Sequence, residues 1–296
     1  EKEPFLRDDL PDLVAATRRR CRRAVITIST NGLGVDRTVT MMHAIGLDDP
    51  SVRLAVSIDG LGAVHDRIRG VAGAFDRAMA TVDRLRAEGY SGLRLSMTVT
   101  PDNAAEIAAV ADLAAARELE LGVVAAQAAA RQLHTDGAPA GEYGEEAREA
   151  FEAVVGEGLR RWRPKAWLRA HFTAMTWRHI CGERWENLSR PGEALFFLQS
   201  DGTVHTSSVD GLTMGNLLQQ DFGSLWASPQ AEQARQAERN RRHTSWMICT
   251  ARRYYRCRTA AVGWWILRKK LRAHIGRLKL AEPNSAEEQT RANPAH

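Results

Sequence analysis

The chain has 296 residues, 44% of them hydrophobic, and a net charge of +5, which suffices for one large or two modest domains with a buried core. No apolar run reaches the ~20 residues of a membrane-spanning helix. The four cysteines, Cys21, Cys181, Cys249 and Cys257, are too few and too scattered for a disulfide scaffold, and a reducing, cytoplasmic setting is expected.

In chain order, the sequence opens on the charged stretch Glu1-Lys2-Glu3-Pro4. Four apolar, β-rich runs follow: "AVITIST" (24–30), "VRLAVSI" (52–58), "LRLSMTVT" (93–100) and "LGVVAAQ" (121–127). Helical spacing puts Phe75, Met79, Val82 and Leu85 on one face, and Glu88-Gly89 stops that helix. Pro101-Asp102 predicts the start of another, carrying Ile107, Val110 and Leu113, with Asp102 or Asn103 as N-cap. Strands alternating with helices predict a parallel sheet, and the near-continuous apolar runs predict cover on both faces. Ligands of such sheets sit at the carboxyl ends of the strands. Those ends read "STNG" (29–32), "SIDG" (57–60), "TVTPDN" (98–103) and "AQ" (126–127), small polar residues and glycines suited to a polar ligand. Further on, "GAPAGEYG" (137–144) reads as a linker or loop, and "GEALFFLQSDGTVHTSS" (192–208) as a β-hairpin turning at Asp201-Gly202. A short helix is expected near Ser228-Pro229.

Taken together, "EPFLRDDLPDLV", "TISTNG", "SVRLAVSIDGLGAVHDRIRGVAGAFDRAM" (51–79) and "MTVTPDNAAEI" resemble successive pieces of the radical S-adenosylmethionine (radical SAM) superfamily. "GEALFFLQSDGTVHTSSVDGLTMGNLLQQDFGSLWASPQAEQAR" and "SWMICTARRYYR" (245–256) resemble its SPASM or Twitch C-terminal extension. The resemblance covers most of residues 3–130 and 190–257. It implies an α/β fold: a partial (β/α) TIM-like barrel of parallel strands lacking its first strands, plus a small C-terminal α+β extension. The implied division is a barrel core over 1–160, the extension over 161–258, a basic amphipathic helix over 259–280 and a disordered tail over 281–296.

The same resemblance implies reductive cleavage of S-adenosylmethionine and hydrogen abstraction from a peptide or other bulky substrate, with an electron donor as partner. Glu3 and Pro4 match the second half of the family's Gly-Gly-Glu-Pro motif, which binds the amino group of S-adenosylmethionine. Thr30, Asn31, Ser57, Asp59 and Arg69 complete the implied set, with Ser57 at the ribose and Arg69 at the carboxylate. Hydroxyl and amide side chains can bond the hydroxyls and amine, and a guanidinium can pair bidentately with a carboxylate.

The family's [4Fe–4S] cluster is held by a Cys-x3-Cys-x2-Cys loop, because iron there needs soft thiolates. No such stretch occurs in this sequence. The resemblance places it upstream of residue 1, and this chain alone is expected not to assemble the cluster. For an auxiliary iron–sulfur cluster the extension offers Cys181 and Cys249, while Ser207 or Ser208, and Ser245, stand where cysteines are expected. A degenerate, non-catalytic binding or scaffold protein is therefore the alternative. Cys21 lies outside any ligand spacing, Cys257 sits among arginines eight residues after Cys249, and His171 and His179, eight apart on a possible helix face, read as surface or core histidines rather than ligands.

The charge is uneven. Residues 239–281 hold thirteen Lys or Arg and no Asp or Glu, and the rest holds 28 basic and 36 acidic residues. Within 261–280, Trp264, Leu267, Leu271, Ile275 and Leu278 form one helical stripe among basic residues. That stripe either packs on the protein or makes peripheral contact with an anionic membrane surface. A nucleic-acid partner is not expected.

Overall fold

The computed structural model describes residues 3–126, 143–183, 188–208, 211–240 and 246–280, the side chains of Cys249 and Thr250 excepted. Contacts between Cα atoms divide the chain into two units, residues 1–124 with 145–154, and residues 125–144 with 155–296.

The first unit begins with a 3-10 turn, Pro4–Leu6, and helix α1, Leu10–Arg20. Strand β1 (Ile26–Thr30), helix α2 (Val35–Ile45) and strand β2 (Val52–Ser57) follow. Two helices, α3 (Ala63–Arg69) and α4 (Ala74–Ala87), lead to strand β3 (Leu93–Val99). Helix α5 (Ile107–Ala116) then leads to strand β4 (Glu120–Ala125). The strands lie side by side in the order β1-β2-β3-β4, and β2 is parallel to β1 and to β3. The alternating pattern predicts this parallel α/β sheet, and it agrees with the partial barrel that the resemblance implies. Its core is built from Leu54, Val56, Ile58, Val82, Leu85, Leu95, Ile107 and Val110, all fully buried. Burying each contributes about 1.5–3 kcal/mol.

Cover on both faces holds only for the centre of β2, where Leu54, Ala55 and Val56 are buried in succession. In β1 and β3 burial alternates, and the exposed positions of β1 are Thr27 and Ser29. Hydroxyl side chains there can bond water while Ile28 and Thr30 point inward. Residues 127–142, which include most of the loop read at 137–144, fall outside the described residues.

Helix α6, Glu145–Arg160, contains the point of division between the units. In the second unit, helix α7 (Pro164–Ile180) precedes three short strands, β5 (Phe197–Leu198), β6 (Thr203–His205) and β7 (Thr213–Asn216). They form an antiparallel sheet in the order β5-β6-β7. Asp201-Gly202 makes the expected turn, with Gly202 at φ +82°. The hairpin thus gains a third strand. Helices α8 (Phe222–Ala227) and α9 (Pro229–Asn240) close over it, burying Val204, Met214, Leu225, Ala231 and Ala234 together. Asp221 caps α8 by accepting from the amides of Gly223 and Ser224.

Helices α10 (Ile248–Cys257) and α11 (Thr259–His274) end the described chain. α10 packs its Ala251, with Tyr254 and Tyr255, against Phe172, Met175 and Trp246. The helix expected over 259–280 stops at His274, and Gly276 turns the chain with φ +65°. Leu278 therefore leaves the helical stripe and is buried. The tail at 281–296 lies outside the described residues.

Candidate functional site

At the carboxyl end of β1, Glu3 anchors the chain's first turn. Its Oε1 accepts from the Thr30 hydroxyl (2.8 Å) and from the Phe5 amide (3.2 Å), and its Oε2 from the Asn31 amide (2.7 Å). The proline at the first position of the 3-10 turn fixes φ where no amide donor is needed. Arg37 of α2 holds the turn from outside, donating to the carbonyls of Phe5 and Leu6 and pairing with Asp8. Thr30 also accepts from the Gly32 amide (3.0 Å). Gly32 sits at φ +71°, and a Cβ there would stand 3.0 Å from the backbone of Ala78.

The end of β2 is held by "SIDG" and by the helix after it. Asp59 is 4% exposed. Its carboxylate accepts from the Thr98 amide of β3 (2.9 Å) and from Arg69 (2.7 Å). Its own amide donates to His65 Nδ1 (3.0 Å). That bond fixes the neutral tautomer with its proton on Nε2, and burial, then the Arg69 charge, push the His65 pKa below its ordinary value. Gly60 is obligatory, because a Cβ would stand 2.6 Å from Val64 Cγ1. Asp66 closes the α3–α4 turn by accepting from the amides of Gly73 (2.7 Å) and Phe75 (2.9 Å).

Asn103 does something other than cap a helix. It is 1% exposed, donates to the carbonyls of Asp59 and Thr98 (2.9 Å each) and accepts from the Thr100 amide (2.7 Å). It straps the ends of β2 and β3, where the ladder has run out. The following turn, Ala104–Glu106, is 3-10 and has no side-chain cap.

These elements form a cleft of about 430 Å³ lined by Glu3, Thr30, Asn31, Ser57 and Arg69, together with Arg37, Phe5 and Leu33. Five of the seven expected cofactor residues thus meet. Pro4 and Asp59 do not line it: Pro4 shapes the turn, and Asp59 stands behind Arg69 and holds it. Nothing in the sequence singled out Arg37, whose local pattern is that of a helix-surface residue.

S-adenosylmethionine fits the donor set on two observations. The buried Nε of Arg69 has no hydrogen-bond partner among the described residues, which leaves a donor for a carboxylate. Among the described residues the Glu3 carboxylate accepts three bonds, leaving one of its roughly four lone-pair sites for an amine.

In the second unit the positions that the family gives to cysteine are otherwise arranged. Ser207 is 4% exposed, and the Ser208 hydroxyl lies 3.9 Å from the Met247 sulfur. The hairpin end is therefore brought to the segment before α10. Thr206 donates to Glu238 (2.5 Å) and accepts from the Leu212 amide (2.9 Å). Cys181 is buried, and burial, then Glu183, push its pKa up to about 12. A thiol so placed stays protonated, which does not suit a thiolate ligand. Ser245 and the Cys249 side chain lie outside the described residues. Cys21 and Cys257 are exposed. Among the described residues no three His, Cys, Asp or Glu side chains are grouped to hold a metal ion. His171 is buried against Tyr255 and Trp265, its Nδ1 3.1 Å from the Tyr255 hydroxyl, and burial pushes its pKa down to about 4.

No protein-family model matches this sequence. Among curated proteins it is 39% identical to Fe-coproporphyrin III synthase of Methanosarcina barkeri over 113 residues, 38% of this chain and 26% of that protein. It is 28% identical to pre-heme d1 synthase of Dinoroseobacter shibae over 253 residues, 77% of this chain and 60% of that one. A third relative is the sporulation killing factor maturation protein SkfB of Bacillus subtilis, 24% identical over 68% of this chain and 46% of that one. The similarity to these proteins supports the resemblance to the radical SAM superfamily. The chain's fold matches the solved structure of anSMEcpe with bound AdoMet and the Cp18Cys peptide, with a TM-score of 0.55 at 10% identity, covering 90% of this chain and 84% of that one. The chain spans between 26% and 60% of the length of these three curated relatives. No helix among the described residues is long and apolar enough to cross a membrane.

Proposed function

We propose that this chain binds S-adenosylmethionine at the ends of β1 and β2 and belongs to a radical SAM enzyme acting on a peptide or another bulky substrate. The observation that carries the reading is the pairing of a seated acceptor with an open donor on one cleft. The Glu3 carboxylate is locked at the end of β1, and Arg69 offers a buried, unpartnered Nε. In this reading Glu3 accepts from the amino group, Arg69 pairs with the carboxylate, and Ser57 bonds the ribose. Thr30 and Asn31 keep Glu3 aimed, Pro4 shapes its turn, and Asp59 orients Arg69. The chemistry that bound S-adenosylmethionine supplies, after reductive cleavage fed by an electron donor through a [4Fe–4S] cluster, is hydrogen abstraction. No residue here is assigned to that cluster. Cys181 and Cys249 are the thiols that the resemblance offers for an auxiliary cluster; the buried, protonated Cys181 speaks against that role, and no reaction step is given to either.

The names of the relatives support a bulky substrate from two directions, porphyrin and heme synthases on one side and peptide maturation on the other. The extension is proposed to span 161–258. A cytoplasmic location and peripheral membrane contact through 261–280 belong to the same reading, supported by the scattered cysteines and the basic terminal helices.

The test is anaerobic assay of the full-length protein for 5′-deoxyadenosine with a chemical reductant. Product that disappears in Glu3→Ala supports the reading. The second reading, a non-catalytic binding relative, is favoured by serine at the hairpin's cysteine position; S-adenosylmethionine binding without any cleavage would establish it and overturn the enzyme.

A further inference from the structure

Helix α11 has two apolar faces. One is mounted on the protein: Val262 and Ala273 are buried, and Arg160 donates to the Ala273 carbonyl (3.3 Å). Lys270 on the same side donates to the Leu159 carbonyl (2.6 Å), with its ammonium 4.5 Å from the Trp167 ring and 4.8 Å from the Trp162 ring. The opposite face carries Trp264, Leu267, Leu271 and Ile275, exposed by 61%, 62%, 68% and 56%. Their spacings of three, four and four keep them on one line, about 17 Å long at 1.5 Å per residue. Since the mounted face already holds the helix, the exposed ridge does nothing for the helix's own docking.

The surroundings of the ridge define what would cover it. Arg268 and Arg272 flank it on one side, and the Arg268 guanidinium lies 6.0 Å from the Trp264 ring. From 248 to 280 there are ten Lys or Arg and no Asp or Glu. A protein partner would have to offer an apolar groove with an acidic rim. An anionic bilayer offers both along any line: acyl chains below, phosphates and carboxylates at the level of the arginines, and an interface that favours tryptophan.

We propose that this ridge is an anionic-lipid docking surface, on which α11 lies flat with Trp264, Leu267, Leu271 and Ile275 inserted and Arg268 and Arg272 at the headgroups. The inference deepens the peripheral contact proposed above, by naming the lipid charge and the face, and is independent of the cleft.

The experiment is co-sedimentation of the full chain with phosphatidylcholine vesicles, with and without phosphatidylserine, at low and high salt. Wild type is expected to bind only the phosphatidylserine vesicles, and less at high salt. Leu267→Glu with Leu271→Glu should abolish binding while leaving the circular dichroism spectrum unchanged. Arg268→Gln and Arg272→Gln should each weaken it about fivefold, the loss expected for one basic residue at a charged surface. Equal binding to neutral vesicles, unaffected by these variants, would keep membrane contact and overturn this inference. Absence of binding overturns both. A wild-type oligomer that the double glutamate variant dissolves would assign the ridge to a second copy and also overturn it.

Discussion

The two units place their polar side chains differently. In the first, Glu3, Asp59, Asp66 and Asn103 all bond to backbone at strand ends and turns. In the second, buried polar groups bond to backbone as well, as Arg235 and Thr176 do, but they also form side-chain pairs, Thr206 with Glu238 and His171 with Tyr255. A parallel strand's last amides have no further ladder partner, so side chains complete them, and the same strand ends open on a cleft. The small antiparallel sheet closes its own ladder, and its buried polar pairs tie helices to sheet or to each other. Polar residues of the first kind leave room beside them for a ligand, and those of the second kind fill their own space.

The comparison can be broken one unit at a time, because all eight tryptophans lie in the second unit. Tryptophan fluorescence therefore reports that unit alone. The largest effect is expected from Asn103→Leu, which leaves the carbonyls of Asp59 and Thr98 and the Thr100 amide unpaired. Its cost is about 3 kcal/mol, read as a lower urea midpoint by far-ultraviolet circular dichroism. An unchanged midpoint would remove the strap.

A similar loss is expected in the second unit, but only in acid. Burial depresses the His171 pKa from its model-peptide value of 6.5 to about 4. The unfolded chain takes up this proton first, so stability is complete above pH ~6.5 and falls as pH drops toward 4. The full loss is about 3 kcal/mol. His171→Phe keeps an aromatic ring and should flatten the fluorescence-detected slope; an unchanged slope would assign the titration elsewhere.

Part of this was legible in the sequence and part was not. The apolar runs and the Asp201-Gly202 turn announce strands and hairpin, because both signals are local. Motif residues Glu3, Ser57 and Arg69 were legible by resemblance, and the structure brings them to one cleft. The Asn103 strap was hidden, since an asparagine after "TPD" also reads as an N-cap, and only the position of Asp59, 44 residues earlier, distinguishes the two. The His171–Tyr255 contact joins residues 84 apart, beyond any periodic signal. Leu278 shows the converse: its spacing continues a helical stripe, yet the positive φ of Gly276 ends the pattern.

Smaller effects sharpen the contrast. Thr206→Val removes one bond given and one received in the second unit, about 2 kcal/mol, and should lower the fluorescence midpoint without moving the first unit's transition. Asp66→Asn acts on the first unit. The amides of Phe75, chiefly, and Gly73 lower the Asp66 pKa, so its contribution is present above the ordinary carboxylate range, ~3.9, and is lost as pH falls through the depressed value. The variant should flatten the acid limb seen by circular dichroism; a parallel shift at all pH values would contradict this.

The central claim is that the cleft at the ends of β1 and β2 holds S-adenosylmethionine through Glu3 and Arg69. Anaerobic equilibrium dialysis of labelled S-adenosylmethionine against the full-length protein tests it most directly. The account predicts saturable binding that Glu3→Ala and Arg69→Ala each weaken about tenfold to a hundredfold, the loss of one charge-assisted hydrogen bond. Binding left unchanged by both substitutions, or no binding to the folded wild type, would contradict it.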